Sequence, residues 1–276
     1  SNGTARWWQS TRFRKKSSSS SWTLPNRPGL RSSGVFSRVL QPSAVGSKQQ
    51  IRFATWNAAA LLHKVPKNRN DKICYLNQVL AAADVCCLQE VHGDEAIARR
   101  ILHPTLASFT AVFDPHPSGN SGGTAVLVRK AWLGNAILHH EVFEPGRCAC
   151  VTLEFEHIEV IIWNLHNHDI TPANMGIFAA RMAIDLDLAA QSPPSNVTWL
   201  AGDFNFLADG ERPREAGRET PEDANVAIAH GDGPHEARVK KITNRMVELF
   251  QPLPTRFARC SGSASRLDRI YTSLPA

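Results

Sequence analysis

The sequence lacks an uninterrupted apolar run of about 20 residues, the length that a membrane-spanning helix needs. None of its six cysteines stands in a Cys-x-x-Cys pair, so their spacing gives no zinc-binding or dithiol redox motif. We expect reduced thiols in an intracellular protein, nuclear or cytoplasmic. The composition, 42% hydrophobic and 20% charged, is that of a largely globular chain.

Acidic residues are missing from residues 1–50, which carry nine of the 31 basic side chains. The rest of the chain therefore has 22 basic against 25 acidic residues, a net charge of −3, although the whole chain has +6. The overall charge is thus no argument for a nucleic-acid-binding domain. The basic segment itself could supply contacts to phosphate.

The composition divides the chain into a tail and a domain. Residues 1–48 are rich in Ser and Arg, contain the run "KKSSSSS" and predict a disordered tail, which also fits an organelle transit peptide. Residues 49–276 predict one domain. Within it, residues 207–236 are rich in Gly, Pro and charge, and we expect a long loop or insertion there.

Strand and helix patterns mix along this domain and predict a layered α/β protein with mixed sheets. The helix-like segments are "NDKICYLNQVLAAA", "DEAIARRILHPTL", "NMGIFAARMAIDLDLAA" and "EARVKKITNRMVELF". The strand-like segments are "IRFATWN", "DVCCLQE", "FTAVF", "GTAVLVR", "CACVTLEF", "EVIIWNLH", "NVTWLAG" and "RLDRIYTSL".

Polar side chains recur where these strands end. Each one alone has an ordinary explanation: a Glu after a strand is usually solvated, Asp and Asn also cap turns, and a lone His is more often structural. Their joint occurrence is more informative, since layered α/β proteins bind ligands at strand ends. The recurring residues are Asn57, Glu90, Asn164, His166, Asn167, His168, Asp203, Asn205 and Asp268.

These motifs, in this order, resemble the endonuclease/exonuclease/phosphatase superfamily, over about residues 51–274. The segments "LQE" and "WLAGDFN" are the most specific parts of the resemblance. It implies a four-layered α/β/β/α sandwich with two mixed β-sheets. It also implies hydrolysis of a phosphate ester with Mg²⁺, or alternatively Mn²⁺, as the cofactor.

The resemblance also implies roles for single residues. Glu90 is similar to the family's metal ligand, and Asn57 to its partner in the metal and phosphate site. Asp203 resembles the carboxylate that orients or deprotonates the attacking water, with Asn205 helping to place it. His166 resembles a donor to the phosphate oxygens.

Four further residues receive less specific roles. Asp268 resembles the carboxylate that pairs with a catalytic histidine. Asn164 and Asn167 are candidate substrate contacts, although both could instead cap the loop or support the site. Arg269 is a candidate phosphate contact, or a side chain that simply faces solvent.

The sequence departs from the family pattern after Asp268. A Ser-Asp-His triplet on one more strand is expected there, and it does not occur in the eight residues up to Ala276. We therefore expect a truncated domain that lacks its last strand, with an exposed sheet edge. The activity of this chain would then be weak or absent.

Three functions stay open at this stage. "SRLDRIY" and "GGTAVLVRK" favour a DNA endonuclease of retroelement type, whereas the His of "NLHN" is more like deoxyribonuclease, phosphatase and sphingomyelinase members. The alternatives are an inactive remnant that binds nucleic acid through its tail, and a phosphoinositide or phospholipid phosphoesterase. We expect a monomer with nucleic acid as its partner.

Overall fold

The computed structural model describes residues 35–41, 49–62, 64–192, 195–205, 214–215, 234–249, 256–257, 263–265 and 268–274. Most of the predicted tail and of the predicted loop 207–236 therefore lies outside the described residues, as does Cys260.

The helices are α1 Pro66–Ala82, α2 Glu95–Ile101, α3 His103–Leu106, α4 Lys130–Leu133, α5 Pro172–Gln191 and α6 Pro234–Thr243. The strands are β1 Val35–Gln41, β2 Gln49–Asn57, β3 Val85–Gln89, β4 Phe109–Asp114, β5 Thr124–Arg129, β6 Ile137–Glu144, β7 Cys148–Glu154, β8 Glu159–His166, β9 Asn196–Asp203, β10 Arg214–Glu215, β11 Val247–Glu248, β12 Arg256–Phe257, β13 Ser263–Ser265 and β14 Asp268–Thr272.

Two large sheets form the centre of the molecule. The first has the strand order β1-β2-β3-β5-β4, and the second has the order β11-β14-β9-β8-β7-β6. Each contains one parallel pair, β2 with β3 and β8 with β9, while the other pairs are antiparallel. The expectation of two mixed sheets is therefore confirmed. A small third sheet has the order β10-β13-β12.

Three apolar cores separate four layers. In the first core, α1 packs on the outer face of the first sheet through side chains such as Leu76. The second core lies between the sheets, where Phe53 stacks on Trp199 with ring centroids 4.7 Å apart. In the third, Phe178 of α5 packs edge-on against Trp163 of β8. This is the predicted α/β/β/α sandwich.

Strand β8 shows how the sequence selects these faces. Successive side chains of a strand point to opposite sides. Ile161 and Trp163 face α5, whereas Ile162 faces the other sheet. Asn164 and His166 have the same parity as Ile162, so the inter-sheet face of β8 changes from apolar to polar towards its end.

Two long edge strands were not predicted, and the short edge strand β11 lies within the segment "EARVKKITNRMVELF" that was predicted as a helix, because α6 ends at Thr243. Strand β1 lies within the predicted tail and pairs antiparallel with β2, from Val35 opposite Thr55 to Gln41 opposite Gln49. It covers an edge of the first sheet. Strand β6 pairs with β7 at the edge of the second sheet, and its side chains are mostly exposed. An exposed edge strand needs no apolar alternation, which removes the sequence signal that identifies buried strands.

The described helices include none that is long and apolar enough to cross a membrane. The described cysteines are free thiols: Cys74, Cys86, Cys87, Cys148 and Cys150. Burial raises the pKa of the Cys86 thiol well above its usual range, so this side chain behaves as a small core residue.

Candidate active site

The candidate site lies where the inter-sheet face ends. Pairing places Asn57 opposite Gln89 in the first sheet, and His166 opposite Asp203 in the second. Asp268 begins the antiparallel β14 directly opposite Asp203. The carboxyl ends of four strands and the start of a fifth therefore meet at one edge, as the strand-end motifs predicted.

Four of the predicted residues are in direct contact or nearly so. Ligand atoms of Glu90, His166 and Asp203 all lie within 4.8 Å of one another. The side-chain amide of Asn57 donates to Glu90 Oε1 at 2.9 Å and to Asp203 Oδ2 at 2.7 Å. His166 Nε2 lies 3.6 Å from Glu90 Oε1. Two carboxylates thus face each other across one neutral amide.

The loop after β2 is fastened to the loop after β3. Glu90 has a left-handed backbone with a φ of 52°, and its carbonyl accepts from the backbone of Ala60. The Lys72 ammonium of α1 donates to the carbonyls of Ala58, Ala59 and Ala60. Burial lowers the pKa of Lys72, although the charge of Glu90 opposes that shift. This clamp fixes the position of Asn57.

Gly202 explains why a glycine precedes Asp203. Its φ is 152°, and a Cβ atom at this position would lie 1.8 Å from the carbonyl oxygen of Leu165. Only glycine lets β9 approach β8 so closely at the level of the site. In the Gly-Asp pair of the sequence motif, the glycine therefore permits close packing of the two strands, and the aspartate supplies the functional side chain.

Asn205 and Asn167 hold Asp203 in place from the other side. The backbone amide of Asn205, at a φ of 54°, donates to Asp203 Oδ1 at 2.9 Å. Its side-chain amide donates to the carbonyl of Asn167 at 3.2 Å. Asn167 in turn donates its side-chain amide to the carbonyl of Phe204 at 2.7 Å. Both residues are half-buried and adjoin the cluster.

His166 is buried and uncharged. Burial lowers its pKa to about 3, and the positive charge of Arg147 adds to that effect, as do His168, His92 and His116. Arg147 Nη1 lies 2.8 Å from His166 Nδ1. Arg147 was not predicted as a site residue. Its position just before β7 could have indicated it, since an antiparallel strand begins at the edge of the sheet where its neighbour β8 ends.

Two of the predicted substrate contacts do not fit. Asn164 is fully buried and donates to the carbonyls of Leu88 and Ala125, both at 3.0 Å, while its oxygen accepts from Gln89 at 2.7 Å. All of these partners belong to the other sheet. Asn164 therefore cross-links the sheets beneath the site and offers no surface to a substrate.

Arg269 is the second residue to be corrected. Its side chain is 0% exposed and donates to Glu248 Oε1 at 3.0 Å. It follows Asp268 directly, so it faces the opposite side of the sheet. The neighbouring pair Asp268 and Asp203 remains on the inter-sheet side, and both are buried.

The donor set fits a hard divalent cation. Glu90 and Asp203 offer carboxylate oxygens, which Mg²⁺ and Mn²⁺ prefer, and the Glu90 side chain is 32% exposed. The Asn57 oxygen accepts from the backbone of Ala59 at 2.9 Å, so in this arrangement its nitrogen faces the carboxylates. The metal-ligand role of Asn57 stays a prediction.

Fold and site together define a layered α/β protein with a candidate carboxylate metal site at one edge of its sandwich. Residues 54–276 match the Endonuclease/Exonuclease/phosphatase family, and the chain belongs to that family. This membership supports a divalent-metal-dependent phosphodiesterase or nuclease. No curated protein matches the sequence.

Solved structures share the fold at low sequence identity. An AP endonuclease from Leishmania major is 16% identical, covering 85% of this chain and 83% of its own, with a TM-score of 0.61. A truncated TDP2 from Caenorhabditis elegans is 16% identical, covering 82% of this chain and 84% of its own, with a TM-score of 0.50. At this identity the likeness concerns the fold.

Proposed function

We propose that the protein hydrolyses phosphodiester bonds in DNA with Mg²⁺, as an endonuclease of retroelement type. The observation that carries the proposal is the pair Glu90 and Asp203, which face each other across the neutral amide of Asn57. Ligand oxygens of the two carboxylates lie within 4.8 Å of each other and their charges repel. A divalent cation between them would relieve this repulsion. Mn²⁺ is the alternative cation.

Glu90 would hold the metal, with Asp203 and Asn57 beside it. The bound ion would neutralise the charge that develops on the phosphoryl oxygens and the leaving group. Glu90 is suited to this role because its side chain is partly exposed, whereas Asp203 and His166 are buried behind it.

Asp203 is the proposed general base. One of its oxygens accepts from Asn57 and the other from the backbone of Asn205, so the carboxylate is held in one orientation. A fixed carboxylate at hydrogen-bond distance can orient a water molecule and take its proton. The supporting contacts of Asn205 and Asn167 would maintain that geometry.

His166 is the proposed donor to a phosphate oxygen. It is neutral at physiological pH, and its Nε2 atom lies 3.6 Å from Glu90 Oε1, the proposed metal ligand. A neutral imidazole can stabilise a developing negative charge by donating a hydrogen bond without titrating during the reaction. Asp268, next to Asp203, would support the carboxylate side of the site.

The proposal is tested by incubating the 276-residue chain with supercoiled plasmid, single-stranded RNA and inositol phosphates, each with Mg²⁺ or EDTA. We expect Mg²⁺-dependent nicking of the plasmid that is lost in Glu90→Ala. Glu156→Gln is the matched control, because that side chain is 88% exposed in the turn between β7 and β8, at the opposite end of these strands.

If inositol phosphates alone are hydrolysed, the proposed DNA endonuclease is wrong and the phosphoinositide phosphoesterase is favoured. Binding of plasmid without cleavage, unchanged in Glu90→Ala, would favour the inactive remnant.

A further inference from the structure

Arg147 is a buried cation that makes its closest side-chain contact with a ring nitrogen. The residue is 5% exposed, and its Nη1 atom lies 2.8 Å from Nδ1 of His166. The backbone amide of His166 also donates to the carbonyl of Arg147 at 2.7 Å. Two hydrogen bonds therefore join the start of β7 to the end of β8.

The direction of the side-chain bond decides which ring nitrogen has the proton. A guanidinium has only donors, so Nδ1 of His166 must accept with its lone pair. In a neutral imidazole the other nitrogen, Nε2, then bears the hydrogen. That Nε2–H group lies 3.6 Å from Glu90 Oε1, at the edge of the cluster.

Because Nε2 bears the hydrogen, His166 is also excluded as a metal ligand. Ligation requires a bare ring nitrogen, and Nε2 cannot be bare while Nδ1 accepts from Arg147. Glu90, His166 and Asp203 form one compact group, yet only the two carboxylates are then able to bind a cation.

We infer that Arg147 is a positioning residue that holds His166 as an Nε2–H donor and keeps its imidazole off the metal. The assignment of the tautomer stands on the hydrogen bond alone. Its use, donation to a phosphate oxygen, rests on the proposed function.

The surroundings of Arg147 restrict its guanidinium to this position. A Cβ atom on Gly122 would lie 3.0 Å from Nη1, so the guanidinium packs against a glycine whose φ is 64°. Asp114 Oδ2 accepts from the backbone amide of Gly146 at 2.8 Å and thereby anchors the turn before Arg147. Asp169 lies 3.8 Å from Nη2.

The test is the protonation pattern of the His166 ring, measured by long-range proton–nitrogen NMR on the full chain with isotope-labelled histidine and no metal. The His166 signals are identified by their loss in His166→Gln. We expect a bare Nδ1 and a protonated Nε2 in the wild type. A protonated Nδ1 would overturn the inference, and this measurement needs no Arg147 variant to fold.

Two variants then test the cause. In Arg147→Met we expect a mixture of both tautomers, and in Arg147→Lys, which keeps a donor, the wild-type pattern. Arg129→Met is the matched control, since it removes a partly buried arginine at the other end of the sheets. An unchanged His166 pattern in folded Arg147→Met would contradict the role of Arg147.

Metal selectivity gives a second readout. Zn²⁺ accepts imidazole ligands readily and Mg²⁺ does not, so Arg147→Met should raise the ratio of Zn²⁺ to Mg²⁺ affinity by about tenfold. An equal ratio in wild type and Arg147→Met would speak against the inference. Both readouts are independent of turnover, so a failure of the proposed nuclease activity would be seen separately in the plasmid assay.

Discussion

Strand β3 has a carboxylate at each end, and the two carboxylates have opposite surroundings. Asp84, just before the strand, accepts from Arg52 Nε and Nη2 at 3.0 and 2.8 Å, and from Arg129 Nε at 3.1 Å. Glu90, just after it, accepts from the neutral amide of Asn57. Among the described residues, no lysine or arginine forms an ion pair with Glu90.

The pKa of Asp84 shows the consequence of this difference. Burial alone raises it, but the hydrogen bonds and charge of Arg52, with the bond from Arg129, bring it below its usual value. Two guanidinium groups thus compensate the negative charge of Asp84, which needs no further cation. The cluster of Glu90 and Asp203 has two carboxylates and a neutral imidazole, and we propose that a cation completes it. The Asp84 cluster therefore stabilises the fold, whereas the cluster of Glu90 and Asp203 is the candidate site.

Removing one charge from the site should have the largest effect. In Glu90→Gln we expect cleavage to fall by about 10³-fold, roughly 4 kcal/mol of transition-state stabilisation, because the metal loses its main ligand. The free energy of unfolding without metal should stay the same or rise, since repulsion with Asp203 is relieved. Plasmid nicking and urea unfolding measure the two quantities. A large loss of stability would place Glu90 among the structural carboxylates.

The same acid-to-amide substitution at Asp84, whose charge is compensated by arginines, should reverse the pattern. Asp84→Asn leaves Arg52 and Arg129 without their counter-charge, and we expect a stability loss of about 3 kcal/mol with cleavage per folded molecule little changed. Because the folded pKa of Asp84 is lowered, its contribution is present above the unfolded pKa and is lost as pH falls through the folded pKa. Urea unfolding at neutral and acidic pH measures this. An equal stability deficit at both pH values would contradict it.

Asp114 is an intermediate case, a buried carboxylate that accepts from the uncharged groups Gly146 N at 2.8 Å and Thr124 Oγ1 at 3.3 Å. Burial raises its pKa to about 6, against those two hydrogen bonds. Its contribution to stability is therefore present at low pH and is lost as pH rises through about 6. We expect Asp114→Asn to be more stable than wild type at neutral pH by about 2 kcal/mol.

The control for Asp114 is the free energy of unfolding of both proteins at acidic pH. Near the unfolded pKa of an aspartate, at about pH 4, wild type and Asp114→Asn should have similar unfolding free energies, because the wild-type carboxyl is then protonated in the folded state. A difference that does not change between acidic and neutral pH would show that the carboxyl does not titrate in this range.

The sequence predicted the convergence of Asn57, Glu90, His166 and Asp203 because each ends or directly follows a buried strand. Burial on both faces leaves a strong apolar signal, and the polar residue that ends it marks the edge of the sheet. Arg269 was assigned wrongly although its parity relative to Asp268 already placed it on the other face.

Other features depend on information that a single strand does not contain. Asn164 has the parity of His166, but whether it contacts substrate depends on the depth at which the first sheet covers it. Strands β1 and β6 are edge strands with little apolar pattern. Arg147 acts through a contact between two strands whose register is set by tertiary packing.

Calorimetry of Mg²⁺ binding in the wild type, Glu90→Gln and Asp84→Asn separates the two carboxylates. We expect one ion bound by the wild type and by Asp84→Asn, with binding lost in Glu90→Gln. Binding of equal strength in Glu90→Gln, or its loss in Asp84→Asn while the protein stays folded, would contradict the assignment of the two ends of β3.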